Sequence, residues 1–270
     1  MPPMNSNLIA MVAAVTAAGF SAQSHAATST NPEVVTYSYT VGETACEGYL
    51  VRPATKMARH PAVLVVHDWM GNGAFSREKA QYLARLGYIA FAIDMYGKGV
   101  RASDAAEAGK LAGRFYQSPG LFRERILGAL EELRKQPGVD PARIGAIGFC
   151  FGGTSVLELA RSGADVRAVV SFHGGLKPLA GEPPSAIKAK ILILHGNLDP
   201  HVPPADVAAC MTELNAAGGK YRLVGYPDAV HAFTNPAAGN DISKGAAYNA
   251  AVADAAFAEM EAFFRDVLAP

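Results

Sequence analysis

The sequence has no excess of charge of either sign, because its 270 residues include 24 Lys and Arg side chains and 24 Asp and Glu side chains. It also has no block of like charges, no internal repeat and no low-complexity tract beyond a bias toward alanine. This balance removes any electrostatic basis for binding nucleic acid or an anionic membrane surface. Half of the residues are hydrophobic, which is ample for the core of one α/β domain or two small ones. A soluble protein of enzyme size is expected.

Motifs that hold metals or dithiols are missing as well. The 7 histidines include no His-x-x-x-His or His-Glu-x-x-His spacing and the 3 cysteines no Cys-x-x-Cys, so no metal or other cofactor is expected. Cys210 lies at helical spacing with Val207 and Leu214, and Cys46 alternates with polar neighbours in a strand pattern. Both patterns are typical of cysteines buried as small hydrophobic residues. We expect these two cysteines to be unpaired, with a disulfide between them as the alternative in an exported protein.

The long apolar run near the amino terminus, residues 8–20, is too short to span a bilayer. Ser24-His25-Ala26 follows it and fits a small-x-small cleavage rule, which predicts that residues 1–26 are a secretory signal peptide. The residues before the run include no Lys or Arg, so a disordered cytosolic extension is the alternative. With cleavage after Ala26, residues 27–270 would form a single periplasmic or secreted domain without membrane association, as a monomer or small homo-oligomer.

Apolar runs alternate with helical patterns through the rest of the chain. Residues 34–40 and 44–51 alternate apolar and polar side chains around a Val-Gly-Glu turn, which predicts an antiparallel hairpin at a sheet edge. The predicted buried strands are residues 61–66, 88–93, 143–147, 167–172, 190–194 and 221–224. The predicted helices are residues 75–86, 102–116, 121–135, 154–161 and 205–217, with a last helix marked by Phe257, Met260, Phe264 and Val267. This alternation predicts a doubly wound, mostly parallel sheet with helices on both faces, in which ligands bind beyond the carboxyl ends of the strands.

The motif Gly-x-Cys-x-Gly at residues 148–152 joins a short apolar run to a helical one. This is the pattern of a nucleophile elbow with cysteine in the place of serine, which makes Cys150 the candidate nucleophile. Gly148 and Gly152 suit a turn in which backbone segments lie so close together that a Cβ atom would clash. The backbone N–H of Phe151, at the start of the helix, would face the oxyanion that forms in the reaction. A buried cysteine in a glycine-rich turn is the alternative.

An acid and a histidine follow the cysteine in the chain order that such an elbow requires. Asp199 lies in a proline-braced turn after a buried strand, where a carboxylate can orient a histidine, although turn or helix-capping chemistry is an alternative for it. His231 lies between the last strand and the last helix and is predicted to be the general base for Cys150. His173 and His195 end apolar strands, which favours hydrogen-bonded packing roles for both.

Three motifs together resemble the dienelactone hydrolase family of α/β-hydrolases: Gly-Phe-Cys-Phe-Gly-Gly at residues 148–153, Asp199 within Gly-x-x-Asp-x-x-Val-Pro, and His231 within His-x-Phe. The resemblance covers essentially the whole mature chain and implies an α/β-hydrolase fold with a Cys-His-Asp triad that opens an enol-lactone through a thioester. It also implies that the backbone N–H of Trp69 is a second oxyanion donor. Asp68 stands where the family usually has a glutamate that influences ionisation of the cysteine, and its side chain is one methylene shorter.

Two departures from the family concern the substrate. The arginines that grip the dienelactone carboxylate correspond, by motif, to Lys98, which lacks the bidentate fork, and to Asn235, which is uncharged. We therefore expect a hydrolase of activated esters or lactones that accepts neutral substrates better than anionic ones. A thiol redox or sensor protein that uses Cys150 and a non-catalytic binding module on the same fold are the other classes that the sequence leaves open. The absence of a resolving cysteine disfavours the sensor, and the complete triad disfavours the binding module.

Overall fold

The computed structural model describes residues 32–55, 57–180 and 184–268, which form one eight-stranded sheet with helices on both faces. The strands are β1 (Glu33–Val41), β2 (Thr44–Arg52), β3 (His60–Val66), β4 (Ile89–Ile93), β5 (Val139–Phe149), β6 (Ala168–Phe172), β7 (Lys190–Gly196) and β8 (Lys220–Tyr226). The helices are α1 (Ala74–Arg85), α2 (Ala105–Gln117), α3 (Pro119–Arg134), α4 (Phe151–Arg161), α5 (Pro204–Ala216) and α6 (Ala250–Val267). Two short 3-10 helices, Pro236–Ala238 and Ile242–Lys244, precede α6.

The strands follow the order β1-β2-β4-β3-β5-β6-β7-β8 across the sheet. The β1–β2 and β2–β4 pairs are antiparallel, and every pair from β4 to β8 is parallel. The predicted edge hairpin and the predicted doubly wound, mostly parallel sheet are both confirmed. The strand order reverses at β3, which lies between β4 and β5, and ligands bind at such switch points in open α/β sheets.

The side chains of the central strands alternate between two cores. In β3, Leu64 and Val66 pack on the face that α2, α3, α4 and α5 cover, whereas Val63 and Val65 pack on the face that α1 and α6 cover. All four side chains are fully buried, which explains why this strand is a continuous apolar run. Complete burial of each such side chain contributes about 1.5–3 kcal/mol.

The largest differences from the predicted boundaries lie at the starts of three elements, β5, α2 and α4. β5 begins at Val139 rather than at residue 143, because Val139 already pairs with His60 at the start of β3. α2 begins after Asp104, whose carboxylate caps the helix by accepting the Glu107 N–H at 2.9 Å. α4 begins at residue 151 rather than 154. The low helix propensity of Gly152 and Gly153 hides this first turn in the sequence, and both glycines are needed there because a Cβ atom would meet neighbouring backbone atoms.

All three cysteines are free, and Cys46 in β2 and Cys210 in α5 are buried, as the sequence predicts. Burial raises the pKa of both buried thiols to about 11. None of the described helices is long and apolar enough to cross a membrane. The predicted signal peptide lies outside the described residues.

Candidate active site

Cys150 occupies the turn between β5 and α4, at the carboxyl edge of the sheet. Its backbone φ is 54° and its ψ is −114°, a conformation that costs a non-glycine residue about 1–3 kcal/mol. A Cβ atom on Gly148 would lie 2.0 Å from the carbonyl oxygen of Gly152, and one on Gly152 would lie 2.3 Å from that of Val66. Close backbone contact therefore requires both glycines, and the turn has the geometry that the motif predicts.

His231 and Asp199 form a hydrogen-bonded pair beside Cys150. Nδ1 of His231 lies 2.7 Å from Oδ2 of Asp199, and Oδ1 of the same carboxylate accepts the backbone N–H of His201 at 2.8 Å. The Asp199 side chain is fully buried, and only 13 % of the His231 side chain is exposed. The imidazole also interacts electrostatically with the Cys150 side chain, and Nε2 is the ring nitrogen that Asp199 leaves free. The structure thus brings together the three residues that the sequence predicts to act as a triad.

The electrostatic surroundings of His231 favour its charged form. Burial alone would lower the pKa of this imidazole, but the adjacent Cys150 and the Asp199 carboxylate outweigh burial and raise the pKa to about 10. His231 therefore holds a proton at neutral pH when it faces the cysteine sulfur. An imidazolium beside a thiol favours the thiolate, which is the nucleophilic form of cysteine.

The loop that bears His231 is held by a chain segment that follows it. The backbone N–H of His231 donates to the carbonyl oxygen of Gly245 at 3.1 Å, and its own carbonyl oxygen accepts the Ala247 N–H at 3.0 Å. The next residue, Ala232, has a φ of 58°. The sequence does not reveal this two-sided attachment, because it joins two irregular segments without a strand pattern.

The two predicted oxyanion donors lie on segments that contact each other. Phe151 is the first residue of α4, where backbone N–H groups lack helical acceptors and the helix dipole is positive. A Cβ atom on Gly152 would lie 2.5 Å from the carbonyl oxygen of His67, two residues before Trp69. The Tyr96 hydroxyl donates to the Trp69 carbonyl oxygen at 3.0 Å, and its ring packs 5.2 Å from that of Phe151. Tyr96 therefore braces both segments, a role that its position after β4 does not reveal in the sequence.

The residues predicted to modulate the nucleophile and bind the substrate have other partners. Oδ1 of Asp68 accepts the Met70 backbone N–H at 2.9 Å, and Oδ2 accepts the side-chain amide of Asn235 at 3.4 Å. Nζ of Lys98 lies 2.9 Å from Oε2 of Glu47, with 54 % of the lysine side chain exposed. Asn235 thus binds a carboxylate of this protein, and the charge of Lys98 is offset by that of Glu47.

Two histidines at strand ends, His173 and His195, are buried near His231. His173 is hydrogen-bonded as predicted, to the backbone N–H of Cys150 and to the hydroxyl of Thr234. The hydrogen bond predicted for His195 is not found at its buried Nδ1, which has no hydrogen-bond partner among the described residues. Burial lowers the pKa of His173 and His195, which favours the neutral form of both.

A strained cysteine between strand and helix, with a buried His-Asp pair at the same sheet edge, has the arrangement expected for the site of an α/β-hydrolase. No group of His, Cys, Asp and Glu side chains within the described ranges could hold a metal ion. The chain belongs to the dienelactone hydrolase family, whose model matches residues 46–268. It is accordingly a hydrolase of the carboxylic ester or lactone type.

Relatives of known structure share both fold and sequence with this chain. The structure named m3DLH is 34% identical, with a TM-score of 0.85, and covers 89% of this chain and 100% of its own. A dienelactone hydrolase-like promiscuous phosphotriesterase from metagenomic libraries is 35% identical, with a TM-score of 0.83, and covers 88% of this chain and 99% of its own. A Synechocystis protein with the provisional name carboxymethylenebutenolidase is 28% identical over 82% of this chain and 92% of its own.

Proposed function

We propose that this protein hydrolyses a neutral, activated carboxylic ester or lactone with Cys150 as nucleophile, His231 as general acid and base, and Asp199 as the residue that orients His231. The observation that supports this proposal is the hydrogen bond between the buried Asp199 carboxylate and His231, whose imidazole interacts electrostatically with the half-buried Cys150. The strained backbone of Cys150 fits the same role, because strain of this kind is concentrated at functional sites.

The proposed reaction has two halves. The Cys150 sulfur forms a bond to the substrate carbonyl carbon, and the backbone N–H groups of Phe151 and Trp69 hold the resulting oxyanion. The C–O bond then breaks, His231 gives its proton to the leaving alkoxide, and a thioester remains on the enzyme. A water molecule attacks the thioester while His231 takes its proton, and the carboxylic acid leaves as the C–S bond breaks and the sulfur regains its proton or its ion pair. Amides are poorer substrates, because a thiolate leaves a tetrahedral intermediate more readily than an amine does.

A neutral substrate is proposed because neither Lys98 nor Asn235, which stand in place of the two arginines that grip a substrate carboxylate in the family, offers a free positive charge. Lys98 is paired with Glu47, and Asn235 donates to Asp68, which adds a negative charge near the triad. An anionic substrate would meet this carboxylate without a bidentate cation to offset it. We assign Asp68 the role of tuning the nucleophile through its charge, from the position in which the Met70 and Asn235 hydrogen bonds hold it.

A neutral phosphotriester is the second candidate substrate, because it meets the same charge requirement. The relative from metagenomic libraries is named as a promiscuous phosphotriesterase. An aryl dialkyl phosphate therefore belongs in the same substrate panel as the aryl esters and lactones. Its turnover should disappear together with ester turnover when Cys150 is altered.

The proposal is tested with a panel of chromogenic esters assayed before and after iodoacetamide. Alkylation should be selective for Cys150, because burial protects the other two thiols and raises their pKa to about 11. Cys150→Ala should lower kcat about a thousandfold or more while circular dichroism stays unchanged. Folded Cys150→Ala protein that retains turnover within tenfold of wild type would remove Cys150 from the mechanism. Reversible oxidation of Cys150 in a protein without esterase activity would favour the thiol sensor instead.

We also propose that the protein is exported and cleaved after Ala26, because the apolar run before this residue is too short to remain as an anchor. Expression in a bacterium with a periplasm should then give a mature protein that begins at Ala27. Terminal sequencing of the periplasmic and cytosolic fractions tests this proposal. Intact Met1 in the cytosolic fraction would contradict it.

A further inference from the structure

His173 connects the Cys150 elbow with the loop that bears His231. Its Nδ1 accepts the backbone N–H of Cys150 at 3.1 Å, and its Nε2 lies 2.8 Å from the hydroxyl oxygen of Thr234. Thr234 follows His231 by three residues and belongs to the same loop. His173 and Thr234 are both at least 98 % buried, so water does not compete for these hydrogen bonds. A short hydrogen-bonded path therefore runs from the elbow backbone to the loop of the general base.

The path defines the tautomer of His173. Because Nδ1 accepts from an N–H group, it carries no proton, and the neutral ring must carry its proton on Nε2. Nε2–H then donates to Thr234. Burial, and next to it the charge of the neighbouring His231, lower the pKa of His173 well below its usual value. The ring therefore stays neutral beside a protonated His231 and does not compete for the catalytic proton.

The backbone of His173 shows that this position is specialised. Its φ is 39°, in a region that only a few per cent of non-glycine residues adopt. Its ring also makes an edge contact with the His231 ring, at a centroid distance of 5.3 Å. The Cys150 N–H is shared between Nδ1 of His173 and the carbonyl oxygen of Phe172, at 3.1 and 3.0 Å. The strained turn at Cys150 is thus tied to the segment that supports His231.

We infer that His173 is a positioning residue, which with Thr234 fixes the distance and orientation between the Cys150 elbow and the His231 loop. This inference rests on the proposed roles of Cys150 and His231. A displacement of about 1 Å between reacting groups can cost about a hundredfold in rate. Loss of the link should therefore lower kcat and leave the substrate contacts, and hence KM, nearly unchanged.

Three variants test the link. His173→Asn keeps an acceptor near the position of Nδ1 and tolerates the positive φ, but its shorter side chain does not reach Thr234. Thr234→Val removes the acceptor at constant shape, and Thr234→Ser restores a hydroxyl. His173→Asn and Thr234→Val should each lower kcat about ten- to a hundredfold, with KM within about threefold. The double variant should be no worse than the poorer single one, because both changes remove the same hydrogen bond.

A second measurement separates positioning from general stability. The rate of Cys150 alkylation by iodoacetamide at neutral pH reports whether a protonated His231 lies beside the sulfur, because an adjacent imidazolium favours the reactive thiolate. His173→Asn and Thr234→Val should lower this rate severalfold relative to wild type, and Thr234→Ser should restore it. His60→Asn is the matched control: His60 is a buried histidine at the start of β3, bonded to the Gly87 carbonyl oxygen. This control should change only the thermal midpoint.

Wild-type kcat and a wild-type alkylation rate in Thr234→Val would overturn the inference, as would additive losses in the double variant. If His173→Asn does not fold, the Thr234→Val and Thr234→Ser pair still decides the question. The alkylation measurement requires no substrate. It therefore tests the link even if folded Cys150→Ala protein retains turnover, an outcome that would overturn the proposed function by itself.

Discussion

The elbow around Cys150 and the loop around His231 meet at one edge of the sheet, but they are fixed in different ways. The elbow is held by steric contact, because glycines within residues 148–153 let backbone atoms approach where a side chain would clash. The His231 loop is held by hydrogen bonds to distant segments, with Asp199 on one side and Gly245 and Ala247 on the other. The glycines of the elbow are visible as a local motif in the sequence. The hydrogen bonds between irregular segments leave no such pattern.

The largest expected effects concern the acid–base pair. His231→Gln should lower kcat about a thousand- to ten-thousandfold, because Cys150 would lose its proton acceptor. Asp199→Asn should also be strongly impaired, because the amide no longer fixes the imidazole orientation. Steady-state kinetics on a neutral aryl ester measures both variants and the double variant.

The double variant should be little worse than His231→Gln, because the members of a triad act as a unit. Additive losses would mean that Asp199 acts elsewhere, as a turn or capping residue. Wild-type turnover in His231→Gln with a large loss in His173→Gln would identify His173 as the base.

Gly152→Ala tests whether steric contact holds the elbow around Cys150. The added Cβ atom would lie 2.3 Å from the Val66 carbonyl oxygen, so the backbone of α4 or β3 must move. We expect a loss of about 3 kcal/mol or more in the free energy of unfolding, measured by urea denaturation. Gly113→Ala in α2 is the matched control, because its Cβ atom would meet no atom within 4 Å. The control should gain about 0.5–1 kcal/mol from the lower backbone entropy of the unfolded chain, and equal stability of the two variants would contradict the close contact.

Gly245→Ala tests whether the segment around Gly245 holds the His231 loop in position. Gly245 has a φ of 75°, and a Cβ atom there would lie 2.6 Å from Cγ of Pro200, next to Asp199. The variant should push the supporting segment away from the acid–base pair and lower kcat about tenfold, with KM nearly constant. Gly218→Ala, just after α5, shares the positive φ, at 69°, but has no atom within 4 Å of the added Cβ. Steady-state assays of the two variants separate the effect of contact with Pro200 from the effect of backbone strain. Equal kcat values would show that the contact with Pro200 does not position Asp199 and His231.

The same contrast explains what the sequence reveals. The buried strands follow from continuous apolar runs such as Val63–Val66, because a strand covered on both faces needs apolar side chains on both. The elbow follows from the spacing of its glycines. The link from His173 to Thr234 does not follow, because two side chains 61 positions apart are joined by one hydrogen bond without any periodic pattern. The pairing of Lys98 with Glu47 is hidden for the same reason, since it crosses from the segment after β4 to β2.

The smallest effects are expected at the ion pair of Lys98 and Glu47. Because Glu47 already offsets the charge of Lys98, Lys98→Ala should change KM by less than about twofold for both an anionic and a neutral ester of similar size. Glu47→Gln should free the ammonium and lower KM for the anionic ester about threefold, with the neutral ester unaffected. The double variant should behave like Lys98→Ala, because the gain in Glu47→Gln depends on the freed lysine.

These three variants decide whether the charge of Lys98 selects the substrate. A tenfold rise in KM for the anionic ester in Lys98→Ala, with the neutral ester spared, would mean that Lys98 binds substrate in spite of Glu47. Efficient hydrolysis of dienelactone by the wild-type protein would equally contradict a site for neutral substrates. In that case a cation near Tyr49 is the next candidate, since Arg101 donates to the Tyr49 hydroxyl at 3.0 Å and Arg77 lies 4.0 Å above its ring.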